Sequence, residues 1–392
     1  MSRLRVVFSI GALHGGGSER QIVSVLRHLD RDRFEPHLYL IYRSGPLLPL
    51  LPDDVPTVAF EERDRRSMSK IPGGMHRRRV ADLKRFFHEV RADISYDRTF
   101  LMTLVAADAA QQACVPNVST IVTDPSTGFS PVAGRFQSFK RRSLKCLYGR
   151  SAAVLAVSDG AGRSAESFYG LTPMSVQTLY NGVDQQAIAT AANRSPDSSW
   201  WNAPSTVGKD VVRVVAAGRL NFEKGFHLLI DAVAALQQEL PDREFRLALL
   251  GEGGRRQQLQ QQADQYGLSD QVGLPGFRDD AAAWYRSADV YVLSSLMEGM
   301  PNVVLEAMAC GTPVVATDCP HGPREILQDD CGILCDVNSA RGLADGIRQV
   351  ILDPEKTARR TARATERIDQ VFSQTAAMDK LQEILIQAAK RH

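Results

Sequence analysis

The amino-acid sequence predicts an α/β protein built from parallel sheets in two domains. Three observations lead there. Short β-branched runs alternate with helical patterns in both halves of the chain, the pattern of a parallel sheet covered by helices on both faces. A Ser- and Pro-bearing stretch with Asn202 and Gly208, Ala191–Asp210, separates the halves and reads as a linker. A length of 392 residues is enough for two or three domains.

In the first half, strands are predicted at Leu4–Ile10, His37–Tyr42, Thr57–Phe60, Ile94–Tyr96, Ser119–Val122, Ala153–Val157 and Val176–Leu179. Helices are predicted near Glu19–Leu29, His76–Val90, Leu101–Ala113, Phe136–Tyr148 and Ala161–Phe168. The second half repeats the scheme more cleanly. Its strands are Val211–Ala217, Phe245–Leu250, Val272–Leu274, Val290–Leu293, Pro313–Thr317 and Ile333–Leu334. Its helices are Phe226–Gln238, Gln257–Tyr266, Ala281–Ala288, Asn302–Cys310, a short one near Pro323–Leu327, and Ala340–Leu352. Ser373–Ala389 has helical periodicity, and periodicity alone does not say where it packs.

Composition narrows the class. Apolar residues make up 44% and charged residues 23%, as in soluble globular enzymes. The short apolar run Val6–Ile10 is followed by a Gly-rich turn, so it reads as a first strand rather than a signal peptide. No run approaches the roughly 18 apolar residues of a spanning helix. Cysteines at 114, 146, 310, 319, 331 and 335 lack zinc-site spacing and read as reduced thiols of a cytoplasmic protein. Charge is unevenly spread. Residues 1–190 hold 25 Lys+Arg and 18 Asp+Glu, a net of +7, and the rest hold 22 and 27, a net of −5. The basic half calls for an anionic partner.

The most informative stretch is Glu298-Gly299-Met300-Pro301-Asn302-Val303-Val304-Leu305-Glu306. Two carboxylates stand eight residues apart, at the end of one apolar strand and one turn into an apolar helix. Pro301 fits the first helical turn, and the amides that follow it suit an anion. Ligands of open α/β sheets bind at this edge. Carboxylates suit sugar hydroxyls and a helix start suits phosphate, so the stretch points to a nucleotide-sugar. The other reading of Glu306 is a solvated helix face, but its neighbours are apolar, and a buried Glu needs a partner.

Gly218-Arg219-Leu220-Asn221-Phe222-Glu223-Lys224-Gly225 follows the first strand of the second half, at the same sheet edge. Arg219 and Lys224 there could neutralise a diphosphate. His14-Gly15-Gly16-Gly17-Ser18 opens a helix with Ser18 as its expected cap. It departs from the dinucleotide fingerprint and serves equally as a tight turn or a binding loop. Gly251 sits in a strand-end turn that shapes either a pocket or only the chain, and Phe277 follows a strand where a nucleobase could lie. His321 and Arg324 belong to a turn with the same two readings. Residues 135–150 are basic with interleaved aromatics, which suits either an anionic membrane surface or an ordinary amphipathic helix.

Taken together, these motifs resemble the retaining glycosyltransferases of family 4. The resemblance rests on the paired glutamates, the Gly218–Gly225 turn, Asn181-Gly182-Val183-Asp184, and the Gly-rich opening ending in Glu19-Arg20. It implies the GT-B fold, two Rossmann-like domains facing across a cleft. Residues 1–190 would bind the acceptor and 211–372 the nucleotide-sugar, and 373–392 would cross back to the first domain. It implies Arg219 and Lys224 on the diphosphate, Glu306 on ribose, and Glu298 on the transferred sugar. Met300, Pro301, Asn302, Val303, Gly16 and Gly17 would complete the cradle.

The implied donor is a UDP-sugar, with front-face attack and no metal or other cofactor. The Thr317–Glu325 form resembles bacterial transferases of surface polysaccharides and lipid-linked oligosaccharides, which implies a polyprenyl-linked or other glycan acceptor, not nucleic acid. Residues 135–150 would then lie on the inner face of the plasma membrane. Where many members carry a His, this chain has Asp124. A role near the sugar is the expectation here, and the cap of a turn is the alternative. Two further readings stay open: a small soluble acceptor such as an inositol phosphate, and a non-catalytic sugar-nucleotide scaffold.

Overall fold

The computed structural model describes residues 3–64, 73–205 and 208–390. The chain forms two compact units, Met1–Asn181 with Thr375–His392, and Gly182–Gln374.

The first unit runs β1 (Leu4–Ile10), α1 (Gly17–His28), β2 (Phe34–Leu40), β3 (Thr57–Ala59), α2 (Phe60–Arg63), α3 (Gly74–Glu89), β4 (Ile94–Arg98), α4 (Phe100–Ala113), β5 (Asn117–Ile121), α5 (Pro125–Ala133), α6 (Gln137–Arg150), β6 (Ala153–Ala156), α7 (Asp159–Tyr169) and β7 (Val176–Thr178). Its seven strands are all parallel, in the order β3-β2-β1-β4-β5-β6-β7. Central strands are buried throughout, because helices cover both faces. Phe8, Tyr96, Val118 and Leu155 point to one face and pack with Ile22 and Leu26 of α1. Val7 and Tyr39 point to the other, against Leu83, Phe87 and Ala106 of α3 and α4.

The second unit runs α8 (Gln185–Ala192), α9 (Ser199–Asn202), β8 (Asp210–Ala217), α10 (Phe226–Glu239), β9 (Arg243–Leu250), α11 (Arg256–Gln265), β10 (Val272–Gly276), α12 (Ala281–Ser287), β11 (Val290–Leu293), α13 (Asn302–Ala309), β12 (Val314–Thr317), α14 (Pro323–Ile326), β13 (Ile333–Cys335), α15 (Ala340–Leu352) and α16 (Pro354–Val371). Its six strands are also parallel, in the order β10-β9-β8-β11-β12-β13. A last helix, α17 (Gln374–Lys390), returns to the first unit, where Met378, Leu381, Ile384, Leu385 and Ala388 join its core. Gln382 accepts from the Asp30 amide (2.9 Å).

Both sheets are doubly wound. Strand order reverses between β1 and β4 in the first and between β8 and β11 in the second. The crevices that take ligands in such sheets open at the carboxyl ends of those strands.

Some elements depart from the sequence expectation. Ala191–Asp210 is not an open linker: it carries α9 and packs into the second unit. Trp201 is fully buried against Trp284, with ring centroids 5.2 Å apart, and donates to Ser287 Oγ (2.8 Å). The polar helix α16 is an addition to the predicted elements. Asp353 caps it through the Lys356 amide (3.0 Å), and Pro354 opens its first turn. Among the described residues, no helix is long and apolar enough to cross a membrane.

Candidate active site

The site is built from the loops that follow β8 and β11. Every residue of β11 is buried, and Ser294 and Ser295 at its end are each 1% exposed. Ser294 Oγ donates to the carbonyl of Lys224 (2.8 Å), and the Leu296 amide donates to the carbonyl of Glu223 (2.8 Å). These bonds fasten one loop to the other. Gly225 makes the fit possible: it holds φ +63°, and a Cβ there would collide with the Ser294 carbonyl oxygen. Gly251 acts likewise at the end of β9, where φ is +136° and a Cβ would meet the Gly218 carbonyl oxygen. The turn reading of Gly251 is therefore sufficient to explain it.

Lys224 and Glu298 meet at the centre. Lys224 Nζ lies 2.7 Å from Glu298 Oε1, with the side chains 18% and 10% exposed. Ser295 Oγ donates to the same Oε1 (2.7 Å). Thr317 Oγ1 donates to the Ser295 carbonyl (2.5 Å), tying this loop to the end of β12. Arg219 is exposed, and its side chain has no hydrogen bond or ion pair among the described residues. Glu223 lies close to both cations. Burial works against its charge, but its own amide, Asn221, Arg219 and Lys224 together hold its carboxyl below the usual range.

The glutamates flank one strand. Burial first, then the charges of Glu298 and Glu306, push the Tyr291 phenol well above its ordinary range. Burial, then the Glu298 charge, raises the Cys319 thiol to about 12, which keeps it protonated and unreactive. Glu306 is half-buried on α13. That helix begins at Asn302, and Pro301 is its N-cap rather than a first-turn residue. Met300 and Pro301 are buried and Val303 half-buried, so the positive end of α13 sits at the Glu298 loop.

The remaining predicted residues belong to other elements. Gly16, not Ser18, is the N-cap of α1, and Gly17 is its first residue. Both lie in the first unit, as does Asp124. Phe277 is 54% exposed after β10. Arg324 pairs with Asp318, and His321 precedes α14 with φ +63°. Asp124 caps a helix. It is buried, and its Oδ1 accepts from the Ser126 amide (2.8 Å) and from Ser164 Oγ. Its Oδ2 accepts from Ser126 Oγ (2.7 Å). These bonds make Asp124 the N-cap of α5. Ser294 and Ser295 are site residues that the motifs do not single out. The signal is there, since buried hydroxyls at strand ends need partners.

Two family models match the chain. The model described as Glycosyltransferase Family 4 covers residues 15–187, and the one described as Glycosyl transferases group 1 covers residues 201–367. The chain belongs to glycosyltransferase family 4. Within the family it is 36% identical over 177 residues to the lipopolysaccharide core biosynthesis glycosyltransferase LpsE of Rhizobium meliloti, covering 45% of this chain and 50% of that protein. The chain thus spans half the length of that relative. It is 27% identical over 298 residues to the D-inositol 3-phosphate glycosyltransferase of Pseudarthrobacter chlorophenolicus, covering 73% and 69%. Among solved structures it resembles Anabaena Alr3699/HepE in complex with UDP and glucose (26% identity, TM-score 0.80, 98% of this chain and 100% of that one). Family-4 members share the GT-B architecture, and each unit here is one Rossmann-like sheet of it.

Proposed function

We propose that the protein moves a hexosyl or N-acetylhexosaminyl unit from a UDP-sugar to a lipid-linked glycan or surface-polysaccharide precursor, with retention and without a metal. The observation that carries this is the Lys224–Glu298 pair beside exposed Arg219 at the positive end of α13. It offers two cations and a helix start to a diphosphate, and a carboxylate to the sugar next to it. The UDP and glucose bound in the HepE structure support the donor class. The lipopolysaccharide relative supports a glycan acceptor.

In the reaction the acceptor oxygen bonds to the sugar's anomeric carbon as the bond from that carbon to the phosphate oxygen breaks. The electron pair stays on the phosphate, and the acceptor's proton passes to it on the same face. Arg219, Lys224 and the start of α13 stabilise the charge that grows there. Glu306 takes the ribose hydroxyls, and Phe277 lies along the base.

The surface of α6 supports action at a membrane. Phe136 and Phe139 are 66% and 72% exposed. Arg135, Lys140, Arg141, Arg142, Lys145 and Arg150 form no ion pair among the described residues. A cationic surface tipped with aromatics suits an anionic bilayer. The inositol-phosphate relative favours one competing reading, a small soluble acceptor.

Thermal shift against UDP, GDP, ADP and UDP-sugars tests the donor site. A nucleotide at 100 times its dissociation constant adds about 2.7 kcal/mol of stability. Arg219→Ala should abolish that shift and lower turnover roughly 100-fold. A loss under about threefold refutes its place on the diphosphate.

A further inference from the structure

The first sheet carries a charge that its own fold does not neutralise. Arg98 is the last residue of β4 and only 3% exposed. It has no carboxylate partner among the described residues. Its neighbour Asp97 points to the opposite face, where Thr103, Asn117 and Ser119 occupy it. Of the five guanidinium N–H donors, Nη1 reaches the Tyr96 hydroxyl (3.3 Å) and Nη2 reaches Asn181 Oδ1 (3.0 Å). Both acceptors are neutral. Nε is buried with no partner. A buried charge with open donors is costly unless an anion meets it.

Its place in the fold says where the anion comes from. β4 and β1 flank the point at which strand order reverses in the first sheet, the place where doubly wound sheets hold ligands. The turn after β1 is His14-Gly15-Gly16-Gly17, which opens α1. Thr99, directly after Arg98, holds φ +76°, a conformation that a β-branched residue rarely adopts. The buried, half-satisfied guanidinium and the small-residue turn thus follow neighbouring strands at the same edge of the sheet.

We propose that Arg98 is the base of an anion subsite in the first unit, one that takes a phosphate or diphosphate group. Its planar fork fits phosphate oxygens in pairs. The choice of ligand rests on the transferase reading. The diphosphate belongs to the acceptor, or it belongs to the nucleotide.

Titration calorimetry of the full chain with inorganic pyrophosphate, with and without saturating UDP, tests this. Pyrophosphate should bind, and Arg98→Gln should weaken it at least tenfold. Binding that persists under saturating UDP assigns the subsite to the acceptor. Competition by UDP, with UDP itself weakened by Arg98→Gln, assigns it to the nucleotide. Arg98→Lys keeps the charge without the fork and serves if the glutamine variant does not fold: its affinity should fall several-fold. No pyrophosphate binding by the wild type, or wild-type affinity in either variant, overturns the proposal. Arg98-dependent pyrophosphate binding in a protein that no nucleotide stabilises would sustain the subsite and sink the transferase reading instead.

Discussion

Asp97→Asn is expected to stabilise the first unit at neutral pH and to leave it unchanged in acid. Asp97 is wholly buried at the centre of the first sheet. Burial, only partly offset by bonds from Thr103, Asn117 and Ser119, raises its carboxyl to about 6 from an ordinary 3.8. Between those values the folded chain holds a proton that the unfolded chain has released. Stability therefore falls as pH rises across that window. A rise of that size is equivalent to about 3 kcal/mol, all of it lost by pH 7. Asparagine fits the same hydrogen bonds. Its oxygen accepts from Asn117 Nδ2 and Ser119 Oγ, which now lie 3.0 and 2.9 Å from Asp97 Oδ2. Its amide donates to Thr103 Oγ1, whose own proton turns to the Thr99 carbonyl 3.1 Å away. Urea unfolding of both proteins at closely spaced pH values from pH 4 to 7.5, followed by hydrogen exchange at β4 and β5, gives the difference directly. The variant's advantage should grow from near zero to about 3 kcal/mol and level off above pH 6.5. A difference that does not change with pH would refute the reasoning.

Three other expectations follow from the geometry. Ser295→Ala removes one of the two bonds to Glu298 Oε1; sugar transfer should fall roughly tenfold or more while UDP affinity holds, and an equal further loss when it is added to Glu298→Gln would show that Ser295 does not act through Glu298. Gly251→Ala places a Cβ against the Gly218 carbonyl at φ +136° and should cost about 3 kcal/mol in the denaturation of the second unit; a change under about 0.5 kcal/mol means the strand ends yield. Phe136→Ser with Phe139→Ser should lower sedimentation with anionic liposomes at least tenfold, and unchanged pelleting would move the membrane contact elsewhere.

Much of this is legible in the sequence, for physical reasons. The strands stand out because buried parallel strands read as runs of Val, Ile and Leu, as in Val290–Leu293. The Gly218–Gly225 turn and the Glu298 loop stand out because charged residues rarely cluster at strand ends without cause. Several helices do not, among them α5 and α16, and these two begin with Asp-Pro, an N-cap followed by the residue best suited to the first turn. Asp124 draws attention only because it stands where many family members carry a His; its carboxylate also starts α5. Arg98 is equally hidden. Nothing in Tyr96-Asp97-Arg98 tells which charge is answered, because that depends on the face each side chain takes and on Asn181, far along the chain.

The return of α17 also bears on how the protein is made. The first unit's core takes Met378, Leu381, Ile384, Leu385 and Ala388 from a helix that leaves the ribosome only after all of Gly182–Gln374. At ordinary rates of synthesis that interval is roughly 10–40 s. During it, the core cluster that holds Val6, Phe8 and Leu38 lacks part of its packing. The second unit has no such debt and can close as it emerges. The half that is begun first is the half that is finished last, and the nascent chain is most open to chaperones and to aggregation through the face that α17 will seal.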